Sequence, residues 1–185
     1  MQLLEKKGIA IKAHIASMAN VKDDVPDAVS PDLSAIRDDT FPTINPKAKE
    51  AMQNAILQAK AEGDSVGGVI CCYATGLPAG LGDPMFDGVE NRLSQALFAI
   101  PAVRGVEFGT GFAASEMPGS LHNDAFEMKD GKITTKTNHH GGVLGGITTG
   151  MPLIVRMAVK PTPSIAKEQK SVSLSTKENV PLSVT

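Results

Sequence analysis

Lys136-Thr-Asn-His-His-Gly-Gly-Val-Leu-Gly-Gly-Ile-Thr-Thr-Gly150 puts five glycines, two histidines, an asparagine and three threonines into fifteen residues. Glycine admits positive φ and lets the backbone approach a neighbour closely. Successive bare N–H groups in such a turn can hold an anion. The same composition also suits a tight connection between strands in a glycine-rich core, and the residues alone leave both readings open. After Met-Pro-Leu-Ile-Val-Arg-Met-Ala-Val comes Lys160-Pro-Thr-Pro-Ser-Ile165. A glycine-rich turn, an apolar strand and a cation beside hydroxyls together read as a site for a phosphate-bearing ligand. Pro161 and Pro163 stiffen that loop, which lowers the cost of ordering it around a ligand. Lys160 ends an apolar strand, where either an anionic partner or snorkelling to solvent accounts for its charge.

Working outward, the 185 residues fit one domain or most of one, and 42% hydrophobic content is enough for a packed core. The net charge of −2 and the lack of a Lys/Arg stripe argue against general nucleic-acid binding. With no Trp and one Tyr, an aromatic base-stacking platform is unsupported. No apolar run approaches the ~20 residues of a membrane span, and the first residues do not make a secretory signal. Cys71 and Cys72 are the only cysteines. Neighbours on a strand point to opposite faces, so they are poor disulfide partners, and a reducing cytoplasmic setting is expected.

Ile9, Ile11, Ala13 and Ile15 alternate like a strand, which places His14 on the polar, surface phase. Residues 19–44 are rich in Asp, Pro and Ser and read as a variable excursion with little core. Asn45-Pro46 opens a helix with stripe Ala48, Ala51, Met52, Ala55, Ile56 and Ala59, stopped by Gly63. Val66–Gly76 reads as a strand. Asp83-Pro84 is expected to open a second helix lined by Phe86, Val89, Leu93, Leu97 and Ile100, ended by Pro101. Val103–Phe108 and Leu153–Val159 read as strands, and a hairpin turns at Asp130-Gly131. The tail from Ala166 is polar and is expected to be irregular. The mixture is α+β with antiparallel sheet rather than a strict βαβ repeat.

Motif chemistry is mostly negative. P-loop, zincin and Rossmann signatures are absent. Adjacent His139 and His140 have poor spacing for a metal, so no metal ligand is assigned. His122, Asp124 and Glu127 read as solvated loop residues, and Arg156 as a second cation or an interface residue.

Five ordered blocks carry a resemblance: Gly63-Asp-Ser-Val-Gly-Gly, Gly76-Leu-Pro-Ala-Gly-Leu-Gly-Asp-Pro-Met-Phe-Asp87, Ile100-Pro-Ala-Val-Arg-Gly-Val-Glu-Phe-Gly-Thr-Gly-Phe112, Asn138 to Gly150, and Lys160 to Ile165. Together they resemble chorismate synthase, from about residue 8 onward, apart from the 19–44 excursion. The resemblance implies a β-α-β sandwich, antiparallel sheets flanking helices, here incomplete. It implies a cytoplasmic homotetramer that uses reduced FMN to convert 5-enolpyruvylshikimate 3-phosphate to chorismate and phosphate. That step is a lyase reaction of the shikimate pathway to aromatic amino acids. Carried over residue by residue, it assigns flavin contacts to Pro101, Ala102, Gly145, Lys160, Pro161, Thr162, Pro163 and Ser164, with Asn138 and His140 nearby. Pro101 and Pro163 depart from commoner family residues, so a backbone contact is what is implied at Pro101. The family's Gly-x-Ser-His-Gly, His-Ala-Asp-Tyr and Gly-Arg-His-Asp-Pro motifs do not occur here. No catalytic residue is therefore assigned, and residues 1–185 are expected to be one partial domain, the central part of the enzyme, inactive alone. The alternatives are a non-catalytic FMN- or phosphate-binding remnant, or an oligomerisation module.

Overall fold

The computed structural model describes residues 2–36 and 39–184; Arg37 and Asp38 of the 19–44 excursion lie outside them. The framework is a five-stranded sheet. Its strands are β1 (Ala10–Met18), β2 (Val21–Lys22), β3 (Gly68–Thr75), β4 (Val103–Phe108) and β9 (Leu153–Val159), in the order β2-β1-β3-β9-β4. Every neighbouring pair is antiparallel. Three two-stranded hairpins complete the β content. They are β5–β6 (Phe126–Lys129, Lys132–Thr135), β7–β8 (Val143–Leu144, Ile147–Thr148) and β10–β11 (Gln169–Val172, Asn179–Leu182). The polar tail is thus a hairpin, because its Ser/Lys-rich strands satisfy each other's backbone without needing a buried face.

Among the described residues four α-helices decorate this frame, α1 (Gln2–Glu5), α2 (Pro46–Ala61), α3 (Val89–Phe98) and α4 (Gly119–His122), with short 3-10 turns at Leu33–Ala35 and Gly111–Glu116. In α2 the Asn45 side chain accepts from Lys47 N–H, with Pro46 at the first turn. At the other end Gly63 adopts φ +69, its N–H reaches Lys60 O, and Asp64 N–H reaches Ala59 O. That pair of bonds is the Schellman arrangement that closes a helix. Ala48 and Met52 are buried as α2 packs against β1 and β2, but Ala51 is exposed, so the buried stripe is narrower than the alanine pattern implies.

The second helix begins later than expected. α3 starts at Val89 behind Gly88, and residues 83–88 form turns. Asp83 N–H bonds Asp87 O, which closes a local turn in place of a helical start. Phe86 is consequently 83% exposed rather than part of the apolar face. Val89 and Leu93 do pack, with Ile11, Leu77 and Phe108, onto Ala74, Val143 and Leu153 on one side of the sheet. The opposite side carries Cys71, Tyr73 and Ile154, covered by Ala28, Leu33, Ile36 and Ile44 from the excursion. The sheet therefore separates two cores, and Cys71 and Cys72, both free thiols, fall on opposite faces.

The register decides the fate of His14. His14 pairs with Cys71, Cys71 with Arg156, and Arg156 with Glu107, so one rung crosses four strands on the excursion-covered face. His14 is 1% exposed, not a surface residue. On β1 only His14 is fully buried, because the excursion covers that face at its position, while Ala13 on the opposite phase is exposed, so the apolar phase does not mark the interior here.

Candidate functional site

At the far end of β9 the chain turns into the stiff Lys160–Ser164 loop. Lys160 N–H donates to Ala102 O at 2.9 Å, which knits the Pro101-Ala102 pair to this loop. Ala102 holds φ +71, a left-handed conformation that costs a non-glycine residue ~1 kcal/mol or more. Strain of that kind persists where the surroundings over-determine it, often at ligand sites. Ser65 Oγ donates to Thr162 O at 2.7 Å and Gln169 Nε2 to Pro163 O at 3.4 Å, so the loop backbone is tied from both sides. Its side chains are unspent. Lys160 Nζ has only Pro161 O at 3.5 Å, while Thr162 and Ser164 are exposed and their hydroxyls bond no described residue.

The glycine run forms the β7–β8 hairpin. Gly145 and Gly146 take φ +59 and +83, the turn geometry that a two-residue hairpin requires. Gly146 O accepts from Val89 N–H and so caps α3, and its backbone is pressed between Gly82 and Gly88. Thr148 is consumed in bonds to Pro78 O and Leu81 N–H. The tight-connection reading accounts for these residues. Gly145 differs: a Cβ there would meet nothing within 4 Å, so its backbone is bare. Its neighbour Gly146 caps the start of α3, and the Lys160 loop is tied to Ala102 after the end of that helix.

Asn138 and His140 lie elsewhere. Asn138 is buried, donates to Ala28 O and Pro152 O, and accepts from Gly142 N–H, bonds that fasten the hairpin. His140 N–H and His139 N–H both donate to Asp124, as does Thr137 Oγ1. Burial works to raise the Asp124 pKa, but these donors outweigh it and hold the carboxyl below its ordinary value. His122 stacks on His139 and meets His140 edge-on, with ring centroids 5.8 and 4.6 Å apart. Asp124 and His122 are thus organising residues, not solvated loop residues. Loop composition could not show that they are brought under the glycine run.

Sequence reasoning missed the His14–Asp23 pair. His14 Nδ1 lies 3.0 Å from Asp23 Oδ2, and the Asp23 side chain has no exposed surface. A carboxylate only accepts, so Nδ1 carries the proton. Asp23 also accepts from Ile44 N–H and Asn45 N–H at 2.7 and 2.9 Å. One signal was available: Ala16, on the supposed outer phase of β1, is apolar, and it is half-buried.

A sequence profile of the chorismate synthase family matches residues 1–185. The chain belongs to the chorismate synthase family. It is 46% identical over 181 residues to a chorismate synthase of Thermococcus kodakarensis, covering 98% of this chain and 50% of that protein. Chorismate synthases of Korarchaeum cryptofilum (54% over 133 residues, 72% and 37% covered) and Methanosarcina acetivorans (42% over 182 residues, 98% and 50% covered) are similar too. A crystal structure titled as chorismate synthase superposes with a TM-score of 0.81 at 32% identity, over 88% of this chain and 52% of that one. The chain spans about half the length of the curated relatives it matches. The fold is the mixed, antiparallel chorismate synthase fold. Among the described residues no helix is long and apolar enough to cross a membrane, and no group of three His, Cys, Asp or Glu is arranged for a metal ion.

Proposed function

We propose that this chain is the part of a chorismate synthase that carries a phosphate cradle for reduced FMN. The parent reaction would convert 5-enolpyruvylshikimate 3-phosphate to chorismate and phosphate, in a cytoplasmic homotetramer. The observation that carries this reading is the Lys160 loop. An ammonium and two free hydroxyls stand on a backbone fixed to a strained Ala102. A lysine with hydroxyl donors is the donor set that a terminal phosphate requires, and charge-assisted bonds to it are the strong ones. The residues present fit the group: Lys160, Thr162 and Ser164 hold phosphate, the Pro101-Ala102 backbone orients it, and Pro161 and Pro163 keep the loop stiff. Gly145 adds bare backbone at the other end of α3. Reduced flavin held there would supply transient electron donation to the parent reaction, with no net redox change.

The acid histidines that the family resemblance implies belong to Gly-x-Ser-His-Gly and related motifs that this sequence does not contain. The 185 residues alone are therefore expected to bind FMN and not to turn over substrate. Quenching of FMN fluorescence by the chain tests the first part. Saturable quenching that weakens about tenfold in Lys160→Ala supports the cradle, and absence of quenching overturns it. At ~100 times its dissociation constant FMN should raise stability by about 2.7 kcal/mol, visible in a melt. Formation of chorismate by the chain with reduced FMN would overturn the second part.

A further inference from the structure

Between the excursion-covered face of the sheet and residues 25–29 lies a cavity of about 660 Å³. That is the size of a small-molecule site. Cys71, Tyr73 and Ile154 form its floor, and Val25, Ala28 and Val29 stand on its wall. Its charged groups are unequally employed. Asp23 is spent on His14, Ile44 and Asn45. Asp27 is spent on the N–H groups of Val29 and Ser30. Glu107 accepts from Phe112 N–H and faces Arg156. Lys22 and Lys136, also on the lining, pair with no carboxylate of the described residues.

Two polar atoms on the His14–Cys71–Arg156–Glu107 rung are closed to solvent and have no hydrogen-bond partner: His14 Nε2 and Arg156 Nε. Arg156 Nε lies 3.0 Å from Glu107 Oε1, but the oxygen is off the N–H direction, so the contact is one of charge and not a hydrogen bond. Unpaired buried polar atoms are rare and call for an occupant. Arg156 faces Glu107 and its Nη2 donates to Gly109 O and Thr110 O, which leaves Nε–H without an acceptor, while Lys22 and Lys136 pair with no carboxylate of the described residues. An apolar floor beside these unfilled donors selects a ligand that brings acceptors and an apolar body.

We propose that this cavity binds a small organic carboxylate, with its carboxylate toward Arg156 and Lys136 and its apolar body on Tyr73 and Ile154. The test is a titration of the ¹⁵N-labelled chain with benzoate, using neutral benzamide as the control. Benzoate should give saturable shifts at Gly109, Thr110 and Val69, and benzamide should bind about tenfold more weakly. Lys136→Ala, at an exposed position, should weaken benzoate about threefold, a surface-charge effect that salt also reduces. Ala16→Leu, which fills the cavity from its lining, should abolish the shifts in a chain that still shows a dispersed spectrum. Added FMN should leave them in place, which separates this site from the Lys160 loop. Equal binding of benzoate and benzamide, shifts that survive Ala16→Leu, or no shift at these amides would overturn the proposal.

Discussion

Asp23 accepts three hydrogen bonds with no exposed surface, and two of its donors lie 21 and 22 residues away. Removing it strands His14 Nδ1, Ile44 N–H and Asn45 N–H inside the protein. Asp23→Ala should cost about 3–5 kcal/mol, read from the urea midpoint. Burial acts to raise its pKa, but the bonds from Ile44, Asn45, His14 and the Asp24 backbone together hold it below the ordinary value. The unfolded chain then binds that proton more readily than the folded one. The stabilisation is complete above about pH 5, fades as pH falls below ~4, and is gone once the folded value is passed. Asp124 adds to the same slope. Urea midpoints between pH 6 and pH 3 should fall, and fall less steeply in Asp23→Ala; a parallel decline in both chains would count against this account. Glycines offer a second contrast at this scale. A Cβ on Gly109, at φ +55, would stand 2.0 Å from His139 O. Gly109→Ala should therefore cost about 3 kcal/mol or more, whereas Gly145→Ala pays only the left-handed backbone, about 1 kcal/mol. Similar losses in the two variants would contradict the packing described.

At the scale of elements, α2 depends on its ends. Asn45→Ala removes the acceptor for Lys47 N–H and a contact to Asp24, and should cost about 1 kcal/mol in thermal melts. Local chemistry of this kind is what the sequence states openly. Asn-Pro and Gly63 bounded α2, Asp130-Gly131 turned a hairpin, and β-branched runs marked β3, β4 and β9. α3 and β1 are less legible, for different reasons. Asp83-Pro84 is as good a helix opening as Asn45-Pro46 taken alone, and only the bond from Asp83 N–H to Asp87 O makes it a turn. His14 looked polar because its carboxylate partner lies in a segment with no periodicity. The Lys160 loop could be read from composition because its chemistry is contiguous. The sheet-face cavity could not, because its lining comes from every strand of the sheet.

For the whole molecule, the exposed apolar side chains matter most. Met85, Phe86 and Phe112 are 80, 83 and 83% exposed, and Phe98 at the end of α3 and Ile100 just after it are exposed too. Large apolar side chains left in solvent favour association. Sedimentation at micromolar concentration should show self-association that weakens in Phe86→Ser/Phe112→Ser, with the fold retained by circular dichroism. A strictly monomeric wild-type chain would refute this. Because one carboxylate clasps residues 44 and 45 to residue 23, the stretch between them behaves as a closed loop on a fixed base. Doubling the length of such a loop costs only about 0.6 kcal/mol. The rung beneath it is built on strand pairing, and β1 is tied to that stretch by the Ile15 N–H to Pro42 O bond. The wall and the floor are thus one packed unit: Ala28, Leu33 and Ile36 close over Cys71, Tyr73 and Ile154, so a change in the wall reshapes the cavity from above.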